Sequence, residues 1–207
     1  MAGTRYPVPL GASPPSVDID AGTLPRIETP QPDPIGLNGK TQSAAKGGAG
    51  AALGALVLQF VRDHLGGRVG NGECFALADG ALRKAGALSA ADFGTVTADG
   101  DYVWGTAVSL AQVQPGDIAQ FRNYQYTRRE ENDKGWNERS ESRPHHTAIV
   151  VSQDGNGLLS VIEQNAPVGS AAHSVQLGFA NNTTNSGGTT IRITVTGQVW
   201  FYRPQAR

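Results

Sequence analysis

This 207-residue chain holds a single cysteine, Cys74, and a single methionine, Met1. One cysteine excludes an intramolecular disulfide, so cysteine usage gives no sign of an oxidising compartment. Charge of either sign is scarce and balanced: 17 basic residues against 18 acidic ones, a formal net charge of -1. That balance removes the electrostatic reason to expect nucleic acid or an anionic membrane as a partner. No apolar run reaches the roughly 18–20 residues of a membrane-spanning helix. The best candidate, Ala51 to Leu65, is shorter and carries Gln59, Arg62, Asp63 and His64. Met1 to Leu10 has no apolar core after its one basic residue, so no Sec-type signal peptide is expected. A cytoplasmic location, or a specialised or lytic route to the cell wall, is the expectation that follows.

What is present divides the chain in two. Eight of the 12 prolines fall between Pro7 and Pro34, so residues 1–50 read as a proline- and glycine-rich flexible arm. Residues 51–207 read as one folded domain. A helix is expected from about Gly50 to Leu65, with Leu53, Leu56, Val57, Phe60, Val61 and Leu65 as its buried stripe. Gly70-Asn71-Gly72 then leads into a second helix, Glu73 to about Lys84. From about residue 95 the pattern becomes that of strands. Tyr102 to Trp104 is a short strand or a turn edge; Ile118 to Phe121, His146 to Val151, Leu158 to Gln164, Ile191 to Val195 and Gln198 to Tyr202 are strands. Arg122 to Pro144, with six basic and five acidic residues, reads as a long charged loop, and Gly178 to Thr190 as a polar one. Helices first and a meander of strands afterwards give an α+β domain, with the helices packed on an antiparallel sheet.

Cys74 stands in the first turn of the second expected helix, where unpaired N–H groups and the helix dipole favour a thiolate and can hold an oxyanion. A structural cysteine more often sits mid-helix on the apolar side. A thiol nucleophile needs an imidazole in reach, and the imidazole needs a third group to orient it. His146 opens the strand H-T-A-I-V, while its neighbour His145 points to the other side of that strand. The next strand, V-I-E-Q-N, carries Glu163 and Asn165 two apart on one face, and either is able to accept the far proton of the ring. His64 and His173 have no partners at metal-ligand spacing, and the chemistry needs neither metal nor cofactor. Asp117, in the Pro-Gly-Asp turn, is assigned to local backbone bonding, Trp104 to core packing, and Trp136 to substrate contact or loop anchoring.

In this order, G-N-G-E-C-F-A-L-A-D, P-G-D-I-A-Q-F, H-H-T-A-I-V and V-I-E-Q-N make the chain resemble the CHAP family. That family is a branch of the NlpC/P60-like, papain-fold cysteine amidohydrolases. The similarity runs from about Leu53 to Tyr202. It implies a papain-like fold, Cys74 as nucleophile, His146 as general base, Glu163 orienting the histidine and Asn165 as a fourth polar member. It also implies peptidoglycan as substrate, cut by an amidase or endopeptidase activity. Beyond substrate, the expected partners are a delivery factor or an inhibitory immunity protein. Two other readings stay open: a cysteine peptidase or acyltransferase on a protein or small amide, and a catalytically silent binding module. The long segment Arg122 to Pro144 departs from the family pattern.

Overall fold

The computed structural model describes residues 43–207, so the proline-rich arm lies outside the described residues except for its last eight positions. Those eight belong to a helix, α1, that runs over Ser43–Asp63 and so starts ahead of the expected Gly50. It is followed by α2 (Cys74–Lys84) and a single-turn α3 (Ala90–Phe93). Seven strands among the described residues then form one antiparallel sheet: β1 (Thr106–Val108), β2 (Ile118–Asn132), β3 (Gly135–Gly155), β4 (Leu158–Glu163), β5 (His173–Gly178), β6 (Asn182–Ser186) and β7 (Thr189–Arg203). The spatial order is β1-β7-β2-β3-β4-β5, with β6 paired to the far end of β7. No described helix is long and apolar enough to cross a membrane.

Both faces of the sheet are covered, which is why its central strands read as continuous apolar runs rather than alternating ones. Neighbouring residues divide between two cores. Ile118, Ile149, Ile162 and Tyr202 pack with Val57, Val61, Leu77, Leu82 and Trp104 beneath the helices. Ala119, Val150, Val161 and Phe201 face the opposite core with Phe121, Tyr124, Leu177 and Phe179. This period-2 division requires a fixed register, which shifts between β3 and β4 beyond Val150 and once between β2 and β7. Between Arg122 and Gln125, β2 bulges against β7, with Asn123 at φ 52°. The bulge brings Phe121, Tyr124 and Tyr126 onto one core although their spacing alone would not. Gly197 is required opposite it, since a Cβ there would lie 2.2 Å from the Asn123 carbonyl oxygen.

Several expectations are corrected. Arg122 to Pro144 is not a loop: β2 and β3 run on as a hairpin in one register from Ile118↔Ile149 to Asn132↔Gly135, with a gap at Asn123 and Pro144. The polar stretch Gly178 to Thr190 contains β6, and Ile191–Tyr202 is one strand rather than two. Tyr102–Trp104 is not a strand; the first strand begins at Thr106. Leu56, at 55 % exposure, and Leu65 do not belong to the buried stripe of α1; Leu58 does. The reason is that α1 is covered on one side only, by α2, β3 and the Pro-Gly-Asp turn.

That turn fixes the helix to the sheet by backbone contact. Gly116 has φ 88° and lies so close to α1 that an added Cβ would approach the Gly54 carbonyl oxygen to 2.1 Å. Asp117 beside it is buried, accepts the Gln114 N–H at 2.8 Å, and takes two bonds from the Arg203 guanidinium at 3.1 and 3.0 Å. Gly116→Ala is therefore expected to destabilise the fold by at least about 2 kcal/mol through strain and overpacking. That loss lowers the thermal midpoint by roughly 4–8 °C for a domain of this size. Gly94→Ala, whose Cβ meets nothing within 4 Å, should leave the midpoint unmoved in the same circular-dichroism melt.

Candidate active site

Cys74 is the first residue of α2, and Glu73 in extended conformation (φ -76°, ψ 152°) precedes it as N-cap. The loop before it is held by Gln164, a buried side chain at the end of β4. Its Oε1 accepts the Val69 N–H at 2.7 Å, while its Nε2 donates to the Val69 and Glu73 carbonyls at 3.1 and 2.9 Å. With one amide group, Gln164 thus joins the nucleophile loop to the strand that carries Glu163. The spacing of apolar residues gives no hint of this role.

His146, on β3, lies beside the Cys74 thiol, and the backbone N–H groups of Thr147 and Phe75 are close enough to act on the sulfur. Burial would push the thiol up. The hydrogen bond and charge of His146, with those two N–H groups, outweigh it and hold the thiol below its ordinary value. His146 is itself buried, which would lower it, yet contact with Cys74 and Glu163 raises it above the ordinary imidazole range. Both effects favour the same charged state, thiolate beside imidazolium. On the far side of the ring, Nε2 lies 3.0 Å from Glu163 Oε2. The oxygen sits off the N–H axis, a loose geometry of the kind that catalytic pairs tighten when substrate binds.

Glu163 is 0 % exposed. A carboxylate there requires compensation, and Arg143 supplies it in bidentate form: Nε to Oε2 at 2.9 Å and Nη2 to Oε1 at 2.5 Å. Burial raises the Glu163 carboxyl, but hydrogen bonds and charge from His146 and Arg143 bring it below the usual carboxylate range. The third Arg143 nitrogen, Nη1, donates to the Ser142 carbonyl at 2.8 Å and to Glu141 at 3.2 Å. Arg143 falls inside the segment expected as a loop, so sequence reasoning misses it; its only sequence signal is an arginine three residues before the histidine. His173, expected to have no site role, stands on β5 opposite Glu163, with Nε2 3.6 Å from Oε1.

The other expected residues take distinct places. His145 lies apart from the thiol, its Nε2 donating to the Gly100 carbonyl at 2.6 Å and its ring against Tyr102. Asn165 is not on the strand face beside Glu163. β4 ends at Glu163, and Asn165, at φ 67°, turns the chain out into a loop. From there its Nδ2 donates to Glu73 at 2.7 Å and its Oδ1 accepts the Gly169 N–H at 2.6 Å, on the rim of the site. Trp104 is fully buried and donates to Gln120 at 3.0 Å. Trp136 is 61 % exposed at the hairpin tip, beneath the Arg129 guanidinium. Among the described residues no group of three His, Cys, Asp or Glu side chains is placed to hold a metal ion.

Cys74, His145 and His146 open on a cleft of about 980 Å³ between the start of α2, residues 96–102, the loop after Asn165 and the Ser140–Pro144 part of β3. A thiol at a helix N-terminus, set against a strand-borne histidine on an antiparallel sheet, is the arrangement of the papain-like cysteine proteinase fold. A family model described as AIM3/BBC1 Cysteine proteinase-fold domain matches residues 48–207, and the chain belongs to that family. The match supports the papain-like fold and does not single out the CHAP or NlpC/P60 branch. No curated protein and no solved structure matches the chain.

Two outcomes follow from the electrostatics. Because His146 lowers the thiol, the pH at which iodoacetamide begins to alkylate Cys74 should move upward in His146→Ala. The rate at pH 7 then falls by roughly tenfold for each pH unit that this onset moves. Arg143→Leu leaves the Glu163 carboxylate buried without its partner and should cost about 3–5 kcal/mol of stability at neutral pH. The depressed Glu163 contributes stability above the ordinary carboxylate range and loses it as pH falls through its folded value. The deficit of Arg143→Leu, measured by denaturant unfolding, should therefore shrink as pH is lowered toward 4.

Proposed function

We propose that the protein is a cysteine-dependent amide hydrolase that works through a thioacyl-enzyme. The observation that carries this reading is the Cys74–His146–Glu163 line, in which environment favours the thiolate–imidazolium pair at the mouth of an open cleft. The Cys74 thiolate attacks the substrate carbonyl carbon, and the C–S bond forms. The developing oxyanion lies near the Cys74 backbone N–H, which as the first of the helix has no intrahelical acceptor. His146, as imidazolium, gives its proton to the leaving nitrogen while the C–N bond breaks. Water then loses a proton to His146, attacks the thioester carbonyl, and frees the carboxylic acid as the C–S bond breaks. Glu163 holds the ring in one orientation throughout, and Arg143 keeps Glu163 ionised. Asn165 acts at the rim, where it fixes the loop over the cleft.

The CHAP resemblance adds peptidoglycan as the substrate, with the cut in either the glycan–peptide amide or the peptide. The family to which the chain belongs adds only the cysteine proteinase fold, so wall and protein amides belong in the same experiment. Purified protein is incubated with sacculi and, separately, with an unfolded protein, and new amino termini are counted. Wild type should release them from at least one substrate, and Cys74→Ala should abolish release. His146→Ala should lower it by at least about a thousandfold, as loss of a base that acts as one unit with its nucleophile does. Intact substrates of both kinds, with a Cys74 thiol that alkylates equally fast in wild type and His146→Ala, would instead identify a catalytically silent binding module.

A further inference from the structure

Strand β3 is 21 residues long, and its two edges are covered unequally. On one side β2 pairs with it from Ile118↔Ile149 to Asn132↔Gly135. On the other side β4 begins only at Ala148↔Glu163, so among the described residues no strand covers Gly135 to Thr147. Proteins normally blunt such an edge or cover it, because it offers unpaired backbone groups to any extended chain. Here the outer part is crossed by Arg139, whose guanidinium reaches the Gln176 carbonyl on β5 at 2.7 Å. Inward of Arg139 the strand lines the cleft continuously, from Ser140 to His146. Ser140 and Ser142 are small and exposed, so their side chains do not screen the backbone; the Ser142 carbonyl is taken by Arg143 and Pro144 has no N–H, so pairing rests on the remaining backbone groups of this stretch.

Seven residues at about 3.3 Å each make a strand wall of roughly 20 Å leading to the thiol. That length pairs with about six residues of an extended polypeptide. Across from it, two apolar residues stand at the rim: Val168, 93 % exposed, and Val96, 39 % exposed. The exposure of Val168 is built in, because the Asn165 side chain and the Arg68 guanidinium both bond Gly169 beside it. A glycan offers no amide row to a strand edge, and a small amide uses almost none of it.

Resting on the hydrolase reading above, we propose that the substrate is an unfolded polypeptide segment that adds to the Ser140–Pro144 edge of β3 as an extra strand. It delivers its scissile amide to Cys74 and seats an apolar side chain beside that amide between Val96 and Val168. Main-chain pairing supplies the affinity and the two valines the preference, as in other strand-addition complexes.

The test uses the full chain and reduced, unfolded casein, with cleavage sites read by mass spectrometry. Peptides spanning one such site are then shortened from about ten residues, or N-methylated one amide at a time. Cuts should cluster beside apolar residues. kcat/KM should fall at least tenfold below about six residues, and at least tenfold on N-methylation at alternate amides. Val168→Asp should raise KM for the apolar site at least fivefold and Val168→Leu should not, while iodoacetamide alkylation of Cys74 stays at the wild-type rate in both. Uncut casein beside a His146-dependent thiol overturns the polypeptide substrate and leaves the thiol chemistry standing. Equal turnover of N-methylated and three-residue peptides overturns the strand addition, as does release of fragments from sacculi with none from casein. A thiol whose alkylation ignores His146 overturns the hydrolase reading itself.

Discussion

The site depends on one buried ion pair. Glu163 has no contact with solvent, and a lone carboxylate in that position would take up a proton and lose its hold on an imidazolium. Arg143 prevents this by meeting both carboxylate oxygens. Such pairs are weak contributors to net stability, since desolvation consumes most of the Coulombic gain. What this pair secures is an ionised carboxylate at a fixed point, 3.0 Å from the histidine nitrogen that faces away from the thiol.

Three consecutive residues distribute the consequences. Glu163 meets the His146 ring, Gln164 fixes the loop that carries Cys74, and Asn165 ties the Glu73 side chain to the rim. They achieve this because the strand ends between the first and the last. Glu163, still in β4, points into the protein by strand alternation, whereas Asn165 in the left-handed region has left the ladder. A displacement of β4 would therefore move Glu163 and the loop that carries Cys74 together, which is the rigidity that the proposed near-attack geometry requires.

The parts of the fold that rest on apolar patterning are legible in the sequence, and the parts that rest on polar pairing are not. The segments 118–121, 146–151 and 158–164 stand out because two cores bury both their faces. The outer hairpin lacks that signal. Its strands are joined by Arg129 opposite Glu138 and by Thr127 bonded to Ser140, and same-strand pairs such as Arg139 with Glu141 line its surface. A ladder held by backbone bonds and surface ion pairs has the composition of a loop. The same applies to Asn182–Ser186, whose β6 pairing with β7 needs no apolar side chain. Cys74, His146 and Glu163 are readable because the proposed nucleophile, base and orienting acid call for those residue types in that order. Arg143 and Gln164 are not, because neutralising a buried charge and holding a loop can be done by many residues from many positions. Asn165 lies on the expected segment but not on the expected face, since strand alternation does not continue past the end of the strand.

The hairpin is then better understood as part of the site than as an addition to it. Arg143 belongs to the segment that departs from the family pattern, yet it neutralises the acid on which the histidine depends. Its remaining nitrogen reaches Ser142 and Glu141, two residues of the cleft wall. One guanidinium thus joins the wall along which a substrate would lie to the carboxylate behind the base. A chain pressed against Ser142 bears on the same group that sets the position of Glu163. The coupling is short, direct and made of charged hydrogen bonds, which are stiff in a low-dielectric surrounding. The extended hairpin and the Glu163 site are therefore connected through Arg143 as well as along β3 itself, and changes in either should be felt at the histidine.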